Sequence, residues 1–319
     1  MTQKQAWLGF WVLALIWGSS YLFIRIGVEQ MPPFQLVFMR TGIAAIGLLT
    51  VAYARGKRLP TDRRSLRDLL FLGIFNTVFP FALITWGETR IESSLASILQ
   101  GTTALFALII AHFAFVDERI TPRKVIGLVI GFLGVVVLAG RSSGEIDAAI
   151  TPAMHRLGQL ALILSSVCYA VGGAYSRKAM QNRLEPIVTA AGAMTVAAIT
   201  TGFIAYAAPM WGGNAPLNLG ALSPRVLGSV VMLGVVNTFG AYLIFYSLIA
   251  ALGAARTAMV TYIIPVVGLA LGILFLGEQA DLRLFMGAIL ILGSIAIVNL
   301  NLRARSWTLL PKAQQQAGE

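Results

Sequence analysis

Leu72-Gly73-Ile74-Phe75-Asn76-Thr77 returns later in the chain as Leu233-Gly234-Val235-Val236-Asn237-Thr238, and this pair decides the fold. Two further stretches match in the same order. Phe115-Val116-Asp117-Glu118, followed by Arg123 and Gly127, answers to Phe275-Leu276-Gly277-Glu278, followed by Arg283 and Gly287. More loosely, Trp17 to Arg25 falls on Tyr169 to Arg177. One short apolar match can arise by chance. Three in order, at an offset of about 150–160 residues, mark two copies of one unit.

Each copy holds five apolar runs, bounded near 7–28, 34–54, 69–89, 93–116 and 123–140, then 157–177, 186–208, 226–249, 254–276 and 283–301. The runs are about 20 residues long, the length an α-helix needs to cross hydrocarbon. Of the 319 residues, 57% are hydrophobic and 12% charged, with a mean hydropathy of +0.80. A soluble domain carries about 25% charged residues, so this chain lacks the charge to cover a water-facing surface. The expectation is an all-α integral membrane protein of ten transmembrane helices. Its halves are residues 1–145 and 153–302, with a polar, disordered cytoplasmic tail at 303–319. The first run exceeds the ~7–15 residues of a signal-peptide core and reads as a retained span.

Five is an odd number, so the second copy enters the membrane from the other side. An inverted-topology repeat is the architecture of alternating-access carriers, with a substrate site near the midplane between the halves. Orientation follows from Lys and Arg, which concentrate in cytoplasmic loops. Lys4, the 55–67 cluster, Arg119 to Lys124, Arg177 to Arg183, Arg256 and the tail hold 17 of the 24, which puts both termini in the cytoplasm. The net charge of +11 is thus a topology signal, and no nucleic-acid partner is expected. Arg40, inside the second span, reads as a structural residue snorkelling to the periplasmic interface.

Polar groups at membrane depth cost free energy unless they face protein or a watery cavity. The cavity candidates are Trp17, Ser20, Tyr21, Asn76, Pro80, Gln100, Tyr169, Tyr175, Asn237, Tyr242, Tyr246 and Tyr262. For the aromatics the bland alternative is bundle packing; for Asn76 and Asn237 it is an interhelical hydrogen bond, about 0.6 kcal/mol each. A lining of rings and amides without fixed charge suits a zwitterionic, amphipathic or mildly cationic solute. The adjacent Gly172-Gly173 and Pro265 are hinge candidates. Glycines at GxxxG spacing, Gly127/Gly131 and Gly268/Gly272, read as packing devices. The lone cysteine, Cys168, reads as a small buried hydrophobe.

All 13 acidic residues fall in loops, the tail or span ends, and His112 is the only histidine read at membrane depth. This absence of a deep acid points to facilitative export. It also leaves an intramembrane enzyme without a paired acid and base, and no metal or cofactor is expected. No GxxxxGK[ST] loop is present to hold ATP. A scaffold or receptor is the remaining non-transport alternative.

The ordered set Trp17-Gly18-Ser19-Ser20, Arg40, Glu118, Glu278, Pro265 and the Gly127/Gly287 pair resembles the drug/metabolite transporter superfamily, in its ten-helix members with two EamA-type repeats. Among these the chain is most similar to YddG-type bacterial amino-acid exporters. The resemblance covers about residues 7–301 and departs at Ala104, where a proline matching Pro265 would be expected. It implies a monomeric multi-pass carrier of the bacterial inner membrane, exporting aromatic and other neutral amino acids with broad specificity. Efflux of quaternary-ammonium drugs, with proton coupling, is the alternative. Glu118 and Glu278 are expected to be structural.

Overall fold

The computed structural model describes residues 2–116, 118–140, 150–180, 184–207, 210 and 218–299. The tail at 303–319 and the boundary between the halves near 145 lie outside the described residues. Ten helices run through the rest: α1 (Gln3–Val28), α2 (Pro33–Ala54), α3 (Arg63–Gly87), α4 (Ser93–Ala114), α5 (Pro122–Ala139), α6 (Pro152–Lys178), α7 (Pro186–Ala207), α8 (Pro224–Leu252), α9 (Arg256–Leu276) and α10 (Leu282–Val298). The first nine are long and apolar enough to cross a membrane, and α10 is a shorter apolar helix. No strand occurs among the described residues. The fold is the all-α membrane bundle expected from five apolar runs per copy.

Helix starts follow local chemistry. Pro33, Pro122, Pro152, Pro186 and Pro224 open α2, α5, α6, α7 and α8, where a fixed φ and a missing N–H cost nothing. Asp62 caps α3, its carboxylate accepting from the Ser65 N–H at 2.9 Å. Thr151 caps α6 by accepting from the Met154 N–H at 3.2 Å. Both helices therefore begin five or six residues before the apolar runs at 69 and 157. Hydropathy misses a polar first turn that capping makes helical. One consequence is that His155, outside the sixth run, lies inside α6 and is buried. The tight break between α8 and α9 falls at Gly253, whose φ of +81° suits glycine.

The repeated stretch is where both copies leave ideal α geometry. Residues Ile74–Val78 of α3 and Met232–Gly240 of α8 form π turns, a feature frequent at functional sites. In α8 the widened turn aims Asn237 at α1. Its amide donates to the Ile16 carbonyl and to the hydroxyls of Ser19 (3.0 Å) and Ser20 (3.1 Å). In α3 the mate, Asn76, lies against α6 at Gly172, where an added Cβ would come 2.6 Å from its Oδ1. Under exchange of the halves, α8 on α1 becomes α3 on α6. The other pairings follow the same exchange: α1 packs on α9 as α6 packs on α4, while α2 pairs with α7 and α5 with α10.

Gly172 lies in an unbroken helix and serves as the seat for Asn76. A Cβ at Gly173 would meet nothing within 4 Å. Overpacking costs about 1–3 kcal/mol, so Gly172→Ala is expected to lower the thermal midpoint in detergent by several degrees. Gly173→Ala should leave it unchanged or raise it; equal losses for both would refute the seat.

The expected proline at position 104 is absent, yet α4 is interrupted by a turn at Gly101-Thr102. There a Cβ would meet Pro265 Cγ at 3.3 Å, so the interruption lies where α4 crosses α9. Pro265 itself lies within helix. The start of α1, the ends of α2, α4, α6 and α8 and the starts of α3, α5, α7 and α9 share one end of the bundle, here called the basic face. The other helix ends form the opposite face.

Candidate functional site

Arg40 does not snorkel. It is 7% exposed, and it sits inside the bundle between α2, α3 and α8. Its Nε donates to Thr238 Oγ1 at 2.8 Å, and its guanidinium lies 4.0 Å from the centre of the Phe81 ring. Thr238 is held in turn by the π turn, its hydroxyl donating to the Leu233 carbonyl at 2.8 Å. The repeated stretch thus builds the seat of the arginine. The ionisable side chains whose fields reach Arg40 are Tyr169, Tyr242, Tyr21 and Glu88.

These groups come from both halves: Tyr21 from α1, Arg40 from α2 and Phe81 from α3, against Tyr169 from α6 and Tyr242 from α8. Tyr246 continues the wall, with its ring 5.9 Å from that of Tyr242. Among the described residues, the hydroxyls of Tyr21, Tyr169, Tyr242 and Tyr246 and the terminal nitrogens of Arg40 have no hydrogen-bond partner. Unmet polar capacity inside a bundle costs several kcal/mol per group unless water or a ligand meets it. Their convergence makes this the candidate ligand-facing centre, and unlike the uncharged lining expected it carries one buried guanidinium.

The other candidates divide between joints and edges. Asn237 and Ser20 form the α8–α1 joint. Gln100 and Pro80 form its counterpart, the Ser165 hydroxyl reaching the Gln100 amide oxygen at 3.2 Å and the Pro80 carbonyl at 3.4 Å. Asn76 stays on Gly172. Trp17 packs on Phe245 (ring centres 5.3 Å apart) within an apolar cluster. Tyr262 packs against the main core. Tyr175 lies near the basic face, donating to Asp68 Oδ1 at 2.6 Å and lying over Phe71. Trp17 and Tyr175 thus line joints rather than the arginine centre. His112 accepts from the Ile120 N–H through Nδ1 (3.2 Å), and Cys168 is buried.

At the opposite face, α4 and α9 are locked together. Glu278, from the connection after α9, accepts from the N–H groups of Ser93 (2.7 Å) and Ser94 (2.8 Å), the first residues of α4. Glu92 makes no side-chain capping bond there, so the second copy supplies the cap of the first. The fit is close: a Cβ at Gly272 would come 2.4 Å from Glu278 Oε2, and one at Gly268 would come 2.4 Å from the Ser97 Cβ. The mate of Glu278, Glu118, does something else. It pairs with Arg177 (3.2 Å) and Lys124 (3.9 Å) at the basic face. The copies share a plan but not a state.

Sequence reading missed a buried acidic group beside this lock. Glu88 follows the last residue of α3 and is 0% exposed, and Glu92 is 4% exposed. Glu92 faces His155 Nε2 at 3.5 Å. They were counted as span ends, and their burial was not legible because it depends on how α1, α4 and α6 close over the connection.

A family model matches the chain over residues 5–140 and 156–300, as an EamA-like transporter family. The chain belongs to that family. An uncharacterized transporter of Archaeoglobus fulgidus is 30% identical to it over 92% of this chain and 98% of its own length. A probable amino-acid metabolite efflux pump of Escherichia coli K12 is 25% identical over 96% and 98%. The uncharacterized inner membrane transporter YedA of Escherichia coli K12 is 26% identical over 90% and 88%. One solved crystal structure, 20% identical, superposes with a TM-score of 0.63 over 93% of this chain and 97% of that one. The protein is a multi-pass membrane transporter.

Proposed function

We propose that this transporter exports neutral amino acids, aromatic ones included, and related small carboxylated metabolites across a bacterial inner membrane. The observation that carries the reading is Arg40: a buried guanidinium, seated by Thr238 and Phe81, with terminal nitrogens turned to no acceptor among the described residues. A planar guanidinium matches a carboxylate in a two-bond fork. The tyrosine faces around it hold an aromatic side chain, and they attract an ammonium by cation–π contact, about 2 kcal/mol when desolvated. A zwitterionic amino acid uses both features. A quaternary-ammonium drug uses only the rings and meets a fixed positive charge, so drug efflux becomes the second reading. The name of the Escherichia coli efflux pump supports the same substrate class.

In this reading both termini are cytoplasmic, the basic face is the cytoplasmic one, and the protein works as a monomer in the bilayer without a cofactor or catalysis. The Glu278 lock then closes the periplasmic side, and rocking about the π-turn joints exchanges access. Glu88, buried at the bundle end rather than at the midplane, adds a candidate for proton coupling beside facilitative export. The test is counterflow in proteoliposomes preloaded with unlabelled phenylalanine. Accumulation of labelled neutral amino acids supports the reading. Exchange of cationic dyes with no exchange of any amino acid sinks it.

A further inference from the structure

Glu88 is the buried ionisable group that transport by Arg40 and the tyrosines leaves unused. Both of its carboxyl oxygens are buried without a hydrogen-bond partner. Each neighbouring ionisable side chain keeps at least one polar partner, although Glu92 Oε2 and His155 Nε2 also make no hydrogen bond among the described residues. The Glu278 carboxylate holds two N–H groups of α4. On α6, His155 faces Glu92 at 3.5 Å and has Gln159 Nε2 3.3 Å from its Nδ1. On α1, Arg25 donates to Glu88, but to its backbone carbonyl at 2.5 Å rather than to its carboxylate. The charges whose fields reach Glu88 are Glu278, of the same sign, and Arg25 and Arg40, of opposite sign. The fields of both Glu88 and Arg40 reach Tyr21.

A bare carboxylate closed into such a place loses its hydration and gains no donor, a penalty of several kcal/mol. A neutral carboxyl group closes at far less cost. We propose that Glu88 is a proton-binding site that gates the opposite face: it takes a proton from the water on that side as the face closes over it and releases it when the face opens. The inference rests on the alternating-access reading and adds the proton as a second ligand. Burial first, and the Glu278 carboxylate second, push the Glu88 carboxyl above the ordinary carboxylate range, while Arg25 and Arg40 pull it back. The sign follows. Closure is fully favoured at pH below the ordinary value of a hydrated carboxyl, and that advantage is lost as pH rises through the raised value of the closed state. One proton changes the closed-to-open ratio by at most about tenfold per pH unit.

The test reads conformation, not transport. A single cysteine replaces Ser93, which is fully buried at the start of α4, in a Cys168→Ala background. Its rate of modification by a membrane-impermeant maleimide from the opposite side is followed from pH 5 to 9 and corrected for the reagent's own pH dependence. The expected rate rises at least ~10-fold across the range, as one titrating proton allows, and becomes flat and slow in Glu88→Gln. Glu88→Asp keeps a dependence with a shifted midpoint, which shows that the site tolerates substitution. His155→Gln keeps the parent's dependence. A flat rate in the parent, or a dependence that survives Glu88→Gln and vanishes in His155→Gln, overturns the proposal. Either can occur with counterflow intact, so failure here leaves the carrier reading standing; loss of all counterflow would fell that reading instead.

Discussion

Arg40→Gln is expected to reduce amino-acid counterflow by two orders of magnitude or more without unfolding the protein. A charged hydrogen bond is worth about 1.5–3 kcal/mol, and a carboxylate held by two of them loses ~100-fold or more in binding when both go. The fold should tolerate the change, because the arginine makes a single side-chain hydrogen bond, to Thr238. Arg40→Met, which also removes a buried charge, is expected to unfold at or above the parent's temperature. Arg40→Lys keeps the charge but loses the fork and the flat contact with Phe81, so an intermediate loss is expected. Counterflow and thermal unfolding measured on the same preparations separate the cases. Parallel loss of both would make Arg40 a structural residue.

Glu278→Gln is expected to spring the lock at the opposite face. The carboxylate holds two N–H groups at the positive end of α4, where a negative charge is favoured further. Losing the charge turns an amide donor toward one of those N–H groups, at a cost of about 2–4 kcal/mol. The Ser93→Cys reporter should then label ~30-fold faster or more at fixed pH, since 1.4 kcal/mol is a factor of ten. Glu118→Gln should change it far less, because its partners are the exposed Arg177 and the half-buried Lys124 at the protein's edge, and such solvent-accessible pairs contribute little. Equal effects of the two substitutions would contradict the asymmetry between the copies.

How much of this could be read beforehand differs from residue to residue. The ten helices and their inversion were legible, because a bilayer imposes length and apolarity on every span. The repeated stretch also pointed to the right place. Its asparagines do sit at matched joints, Asn237 on α1 and Asn76 on α6. What the pattern could not show is that the same stretch widens into π turns and presents Thr238 to Arg40. Depth along a span locates an arginine, but the direction of its side chain comes from the neighbours it packs against. Snorkelling and burial differ by that direction alone. Of the cavity candidates, Tyr21, Tyr169, Tyr242 and Tyr246 are the ones that gather around Arg40. Trp17 and Tyr175, from the same set, pack elsewhere. Glu88 illegibly combined a loop-like position with complete burial, since a span end in one helix can be the inside of the bundle once three others close over it.

The most direct test of the central claim uses solutes that differ only at the group Arg40 is said to hold. Counterflow of labelled phenylalanine is measured against unlabelled phenylalanine, phenylalaninamide and phenethylamine. The account predicts that phenylalanine drives exchange, and that the amide and the amine, which keep the ring and the amino group but lack the carboxylate, do not. Exchange driven equally by all three would contradict it.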